Sequence, residues 1–152
     1  MKHFAAFLMV SFLGLFAVTG VSFCQETSIK ALVDKYIQDT DLQRARVEKE
    51  YEGKSINLNA TVYDVGEGKT FDVANDIERV YYTVTTDVIK TPAGNPYRAI
   101  LVYKDMDKVK DLTRGQTISF SGNIIRVVNE GLYISVWLSA DKLTPEERVL
   151  FK

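Results

Sequence analysis

Residues 55–63, Ser-Ile-Asn-Leu-Asn-Ala-Thr-Val-Tyr, decide the fold class that the sequence predicts. Apolar and polar side chains alternate along this stretch, and a period of two residues is typical of a half-buried β-strand. The alternating apolar residues are Ile56, Leu58, Ala60 and Val62. Upstream of Gly53 the apolar residues recur with a helical period instead, so we expect the chain to change from helix to sheet at this point.

Two helices are predicted within residues 25–53. One apolar stripe with helical spacing indicates the first helix and consists of Ile29, Leu32, Val33, Tyr36 and Ile37. Thr40 and Gln43 have the spacing of a capping box, so a second helix is expected to begin near Leu42. We interpret this segment as a helical extension that packs on the following sheet.

Four further strands are predicted downstream, each rich in β-branched or aromatic residues and bounded by turn-forming residues. They centre on residues 80–88, 97–103, 118–124 and 132–138. The first strand is expected to break at residues 66–68, Gly-Glu-Gly, and Gly122 is expected to mark a bulge or a tight bend. A short helix is predicted between the third and fourth strands, with Met106, Val109 and Leu112 facing inward.

The order of these elements predicts a mainly β fold. Five strands, with a helix between the third and fourth, indicate a five-stranded OB-type Greek-key barrel with an N-terminal helical extension. The barrel would occupy residues 54–143, and residues 144–152 would form a short C-terminal helix or tail. Thr144 is the expected cap of this helix, with Pro145 in its first turn. An open five-stranded meander or a lipocalin-like partial barrel is the alternative, although a lipocalin needs about eight strands.

Two short motifs resemble bacterial tRNA-anti-like OB domains. Residues 51–62, Tyr-Glu-Gly-Lys-Ser-Ile-Asn-Leu-Asn-Ala-Thr-Val, are similar to the family's opening turn and strand, and residues 114–124 are similar to a later strand. With the preceding helix, the resemblance covers roughly residues 40–143. The sequence departs from the family at Val47, where alanine is usual, and at Ala60, where glycine is usual. The resemblance implies an OB fold but says little about the ligand, because one fold hosts many functions.

The N-terminal residues have the pattern of a secretory signal. A basic start precedes the apolar run 4–18, which is shorter than the about 20 residues that a membrane-spanning helix needs. Residues 1–24 are therefore interpreted as a secretion signal, cut after Gly20 or after Cys24. The predicted location is outside the cytoplasm, in the periplasm or cell envelope. An uncleaved N-terminal anchor is the alternative.

Cys24 is also a candidate for lipidation, since bacterial lipoprotein signals place small residues just before such a cysteine. Phe23 fits that pattern badly. Attachment to a membrane is expected only if Cys24 carries a lipid.

Composition removes much of the usual catalytic repertoire. After the signal, the chain has no histidine and at most one cysteine, which excludes internal disulfides, Cys/His zinc sites and catalytic dyads that need either residue. Asp64 and Glu67 are candidates for an acid–base pair, but only their proximity in the sequence supports this. Three other carboxylates lie close together but lack the spacing of a calcium loop: Asp72, Asp76 and Glu78. We therefore expect no enzymatic activity and no cofactor.

The candidate binding residues are aromatic side chains expected to point outward: Tyr63, Tyr81, Tyr97, Tyr103, Tyr133 and Trp137. Burial under the N-terminal helices is favoured for Tyr133 and Trp137. Tyr81 and Tyr103 are predicted to form a joint platform on neighbouring strands, with Tyr97 nearby, because OB domains bind ligands across strands 2 and 3. Residues 90–114 carry a local charge of +3, and the predicted rim of the platform consists of Lys90, Arg98 and Lys104.

These features predict a non-catalytic binding module that takes a glycan, a peptide or a protein partner through strands 2 and 3. The alternative is a structural or envelope-stress protein that assembles with other envelope proteins, and a third hypothesis is a hydrolase that uses carboxylates alone. Removal of the predicted signal also removes Lys2, so the remaining chain carries 18 basic and 20 acidic side chains, a formal charge of −2. This charge disfavours nucleic acid as the partner.

Overall fold

The computed structural model describes residues 28–72 and 76–151, a mainly β region. Helices α1 (Ile29–Gln38) and α2 (Asp41–Tyr51) are followed by strands β1 (Ser55–Asp72), β2 (Ile77–Thr86), β3 (Ile89–Lys90) and β4 (Pro96–Tyr103). One 3₁₀ turn (Met106–Lys108) precedes β5 (Thr117–Asn129), β6 (Ile134–Ser139) and the short helix α3 (Pro145–Val149). The predicted signal segment, residues 1–24, lies outside the described residues.

The five long strands close into a ring. β1 pairs with β2 and β5, β5 pairs with β6, and β4 pairs with β2, all in antiparallel fashion. β4 and β6 are parallel and complete the ring. The mainly β prediction is confirmed, but the sheet has six strands rather than five, because the two residues of β3 pair with the start of β4.

β1 is longer than the sequence predicts. The expected break at residues 66–68 does not occur, since β1 continues as a hairpin with β2 as far as the pair Asp72 and Ile77. Gly68 lies opposite Tyr81, and a Cβ at Gly68 would overlap the Tyr81 ring. The glycine therefore serves a close approach within the hairpin and does not end the strand.

β5 bends sharply, as its glycine predicts. Residues 117–123 pair with β1, whereas residues 123–129 pair with β6. Gly122 lies at this corner, where a Cβ would overlap the carbonyl oxygen of Ser139 and the ring of Phe120. The bulge itself falls a few residues later, between Ile124 and Arg126.

The inner face of the ring and helix α1 share one apolar core. Ile56 is buried there as the alternation predicts, together with Val84, Phe120, Ile134 and Val136, while Leu58 and Ile118 pack partly buried against it. Helix α1 contributes Leu32 and Val33, which are fully buried. Asp34 fastens the same helix, because its Oδ1 accepts hydrogen bonds from Thr91 Oγ1 at 2.6 Å and Asn95 Nδ2 at 2.7 Å.

Helix starts agree with the predicted caps. Gln43 Oε1 accepts a hydrogen bond from the backbone N–H of Thr40 at 2.9 Å, and Thr144 accepts one from the backbone N–H of Glu147 at 3.3 Å. No helix within residues 28–72 and 76–151 is both long enough and apolar enough to cross a membrane.

The predicted helix between the third and fourth strands is only one 3₁₀ turn followed by an irregular segment. Val109 is buried and Leu112 is partly buried, as expected, but Met106 is 51% exposed. Met106 lies at the first position of the turn, and a single turn buries fewer side chains than the longer helix that was predicted.

The C-terminal residues cover one end of the outer face of the sheet. Phe151 and Leu143 form a second apolar cluster with Val102 and Ile125, and Tyr81 and Trp137 pack against it. Lys104 Nζ holds α3 in place through Glu147, at 2.7 and 2.8 Å from its two carboxylate oxygens. The rest of the outer face stays uncovered by this segment.

Candidate functional site

The predicted Tyr81–Tyr103 platform is wrong. In the β2–β4 register Tyr103 lies opposite Tyr82, so Tyr81 and Tyr103 point to opposite faces of the sheet. Tyr103 faces the core, where its ring meets the Phe120 ring edge-on at 6.0 Å. The two tyrosines therefore cannot contact one ligand on a shared surface.

Tyr97 and Tyr81 both serve packing. Tyr97 is 1% exposed within the core, and this burial raises its pKa to about 12. Tyr81 lies on the outer face, flat against Gly68 and edge-on to Phe151 with ring centroids 5.0 Å apart. The sequence expectation that Tyr97 points outward is wrong, because residues 97–103 are apolar on both faces and their pattern does not indicate which face is buried.

The three predicted rim cations have different surroundings. Lys104 is engaged by Glu147, as described above, and the hydrogen bond from Lys104 lowers the pKa of Glu147. Lys90 is exposed on β3 opposite Pro96, two residues before Arg98 along β4. Of these three cations, only Arg98 belongs to a cluster that also contains aromatic rings and polar groups without partners in the described residues, as a binding site requires.

That cluster, here called the arginine–tyrosine ladder, consists of Arg114, Tyr63, Arg98 and Tyr133. The Cζ atom of Arg98 lies 4.6 Å from the centroid of the Tyr63 ring and 4.7 Å from that of Tyr133. The Cζ atom of Arg114 lies 4.6 Å from the same Tyr63 ring. Three cation–π contacts thus join four side chains that are far apart in sequence.

A bulge in β1 aims Tyr63 at the ladder. Val62 pairs with Thr86 and Asp64 pairs with Thr85, so Tyr63 is the extra residue of β1 at this point. An extra residue bends the strand and redirects its side chain. Tyr63 and Asp64 consequently reach the same side of the sheet, close to Arg98.

The turn before β5 places Arg114. Gly115 donates its backbone N–H to the Val62 carbonyl oxygen, and Val62 donates its own N–H to the Gln116 carbonyl oxygen, both at 2.8 Å. Gly115 has φ of +86°, a left-handed conformation that favours glycine. These contacts fasten the turn to the residue next to Tyr63.

The turn before β6 places Tyr133. Gly131 has φ of +84° and donates its N–H to Asn129 Oδ1 at 2.9 Å. Glu130 donates its N–H to the carbonyl oxygen of Tyr133 at 3.0 Å. The sequence correctly predicted a turn here, but the expectation that Tyr133 lies beneath the N-terminal helices is wrong.

Trp137 was likewise expected beneath the N-terminal helices. It instead packs against the second apolar cluster, and the Cζ atom of Arg126 lies 4.3 Å from its ring centroid.

Two adjoining cavities flank the ladder. One is about 270 Å³ and is lined by Tyr63, Asp64, Thr85, Arg98, Ile100, Glu130, Tyr133 and Ser135. The other is about 490 Å³ and is lined by Tyr63, Asp64, Val65, Leu112 and Arg114. Tyr63 and Asp64 line both, so the two cavities form one continuous surface over the ladder.

The charges of this surface have no partners within the described residues. No ion pair or hydrogen bond engages the side chains of Arg98, Arg114, Asp64 or Glu130 in residues 28–72 and 76–151. The Nε atom of Arg98 is buried and lacks a hydrogen-bond acceptor. The site therefore offers free N–H donors and free carboxylate acceptors beside aromatic rings.

A third cavity of about 250 Å³ lies under the C-terminal segment, and its lining is mostly apolar: Thr70, Arg79, Val80, Tyr81, Val102, Lys104, Leu143, Glu147, Leu150 and Phe151. Arg79 and Glu147 at its rim already have charged partners. These charged groups are thus paired within the protein, in contrast to those of the ladder, although the Thr70 hydroxyl in the same lining has no hydrogen-bond partner among the described residues.

The carboxylates considered for catalysis or metal binding are separated. Asp64 and Glu67 lie three residues apart in a regular stretch of β1, so their side chains point to opposite faces and cannot form an acid–base pair. Asp72 pairs with Arg79 and Glu78 pairs with Lys69. The described part of the chain contains no group of three or more metal-ligating side chains.

Comparisons of the chain with protein-family models, with curated proteins and with solved structures found no match. The resemblance to tRNA-anti-like OB domains stays a prediction.

Proposed function

We propose that this chain is an exported, non-catalytic binding module with an OB-type barrel, and that the ladder is part of its binding surface. The topology supports the OB assignment: an OB-fold is a five-stranded Greek-key barrel, and here five long strands close a ring with the 3₁₀ turn between β4 and β5. In OB domains the ligand lies on strands 2 and 3 and on the loops between strands 1 and 2 and strands 4 and 5.

The position of the ladder carries the functional proposal. Arg98 lies on β4, the third long strand, and Thr85 on β2, the second. Tyr133 belongs to the turn between β5 and β6, which corresponds to the loop between strands 4 and 5. Unpartnered polar groups beside aromatic rings and a cavity form the kind of surface that a ligand would complete.

A glycan is the ligand class that this chemistry supports best. Sugars present many hydroxyl groups, which can donate to Asp64 and Glu130 and accept from the arginines. OB domains are known to bind oligosaccharides as well as oligonucleotides, and carboxylates on the wall disfavour a nucleic acid backbone. The proposed module therefore recognises an oligosaccharide of the cell envelope.

The test is a glycan array probed with the full chain, expressed with its own N-terminal segment and purified after export. An Arg98→Ala variant and an Arg46→Ala control are probed in parallel, because Arg46 is exposed on α2 and lines neither cavity of the ladder. We expect the wild type and the control to bind the same oligosaccharides and Arg98→Ala to lose them. Absence of glycan binding, with capture of an envelope protein that Arg98→Ala leaves unchanged, would favour the alternative of assembly.

A further inference from the structure

We infer that the ladder is a receptor for the carboxylate group of an acidic oligosaccharide, with Arg98 as the residue that binds the carboxylate. This inference rests on the proposed function and specifies the ligand class of the same site.

The first argument is that the Arg98 side chain is partly buried and forms no ion pair within the described part of the chain. Other cations without an ion pair there, such as Arg46 and Lys90, are exposed to solvent. A carboxylate lies within 4.0 Å of eight further cations: Lys35, Arg44, Lys54, Lys69, Arg79, Lys104, Lys108 and Lys110. Arg98 instead contacts two tyrosine rings, and its Nε is removed from solvent without an acceptor. A partly desolvated guanidinium that forms no ion pair is stabilised by an anion that binds it directly.

The second argument concerns the shape of the anion. Aromatic contacts restrict the orientation of a planar guanidinium, and its remaining N–H groups form a rigid fork. A carboxylate matches this fork with two parallel hydrogen bonds. Arg98 is therefore oriented for a planar, bidentate acceptor before any ligand arrives.

The third argument is the mixed charge of the wall. Asp64 and Glu130 line the same cavity as Arg98, so the ligand should present hydroxyl donors to these two carboxylates beside the negative group that binds Arg98. A sugar acid carries one carboxylate per ring and several hydroxyl donors, which suit one arginine and two carboxylates. This balance favours a sugar acid over a polyphosphate or a free phosphate ion.

The fourth argument is size. The cavity at Arg98, about 270 Å³, lies near the lower bound of roughly 300 Å³ for small-molecule pockets, so it suits one sugar unit. The neighbouring cavity continues over Tyr63 to Arg114. A second acidic unit of the same chain would reach Arg114, and an oligomer should bind more tightly than a monomer.

The experiment is titration calorimetry with the full exported chain and four probes. These are a galacturonic acid tetramer, its fully methyl-esterified and hence neutral counterpart, inorganic phosphate, and a single-stranded oligonucleotide. We expect the acid tetramer to bind at least about tenfold tighter than the ester, because esterification removes the charge-assisted hydrogen bonds. Phosphate and the oligonucleotide should bind more weakly than the acid tetramer.

Three variants assign the effect to Arg98. Arg98→Ala should weaken binding of the acid tetramer at least about tenfold and leave the weaker ester binding nearly unchanged. Arg98→Lys keeps the charge without the fork and should recover only part of the affinity. Arg46→Ala should match the wild type. Thermal melting of each variant shows that it is folded.

The outcomes separate the two proposals. Equal affinity for acid and ester, both reduced by Arg98→Ala, would overturn the carboxylate inference and leave a glycan-binding module. Tightest binding of the oligonucleotide or of phosphate would also overturn it. Failure of the acid tetramer and of every oligosaccharide on the array would overturn the proposed function itself.

Discussion

Replacing Gly115 with alanine tests how the ladder is built. Gly115 has φ of +86°, and a Cβ there would meet nothing within 4 Å, so the substitution adds backbone strain without a steric clash. A left-handed conformation costs an ordinary residue about 1–2 kcal/mol, which corresponds to a loss of roughly 3–8 °C in Tm for a domain of this size. If the turn relaxes to relieve the strain, Arg114 moves away from Tyr63.

Gly94→Ala is the matched control. Gly94 has φ of +87° and equally open surroundings, but it lies in the turn between β3 and β4, away from Arg114. Both variants should lose similar stability in thermal unfolding. Only Gly115→Ala should weaken binding of the acid tetramer, by up to about 5-fold, because the displaced Arg114 would lose one exposed ion pair of about 0.2–1 kcal/mol with the second acidic unit. Equal weakening by both variants, or no destabilisation by Gly115→Ala, would refute the reasoning.

Three further predictions concern stability. Phe120→Ala removes a buried ring and should cost about 3–5 kcal/mol in urea unfolding, whereas a cost below about 1 kcal/mol would contradict its place in the core. Tyr81→Ala should destabilise the fold by about 1–3 kcal/mol through lost packing on Phe151, and calorimetry should show unchanged ligand affinity; a selective affinity loss would restore its predicted binding role. The hydrogen bond from Lys104 lowers the pKa of Glu147 below 4.5, so this pair stabilises the fold above that pH and the contribution is lost as the pH falls through the lowered value. Glu147→Gln should therefore show a weaker acid dependence of unfolding than the wild type, and an identical dependence would count against the pair.

Local signals in the sequence predicted most of the elements. The apolar stripe of α1, the capping pairs at Thr40 and Thr144, and the alternation in the first half of β1 each depend on residues close together in the chain. Such patterns act through neighbouring backbone groups, and tertiary packing did not override them.

The failures arose where packing or register decided the outcome. The glycines of β1 predicted a break in the strand. Gly68 is instead required within the strand, because the Tyr81 ring of β2 occupies the space where a Cβ would lie. Tyr97 and Tyr103 were placed outward because an apolar strand gives no indication of which face is buried. A slip of one residue exchanges the two faces, and only the pairing of β4 with β2 and β6 fixes the choice.

The sequence indicates surface roles for the residues of the ladder but does not predict that they contact one another. Tyr63, Arg98, Arg114 and Tyr133 each have a plausible surface role, but they come from four separate segments. A bulge and two left-handed glycines bring them together, and none of these specifies a distant partner by itself. The nearest signal in the sequence is the pair of glycines Gly115 and Gly131, each of which marks a turn just before a predicted strand.

Helix α1 limits where the N-terminal part of the chain can be cut without loss of the fold. Its buried residues complete the same core as the sheet, and Asp34 secures the turn before β4. Any protease that trims the N-terminus and leaves a stable protein must therefore cut before Ile29, because a later cut removes part of the core itself. The packing of α1 against the sheet thus sets the last position at which the chain can be cut without loss of core residues.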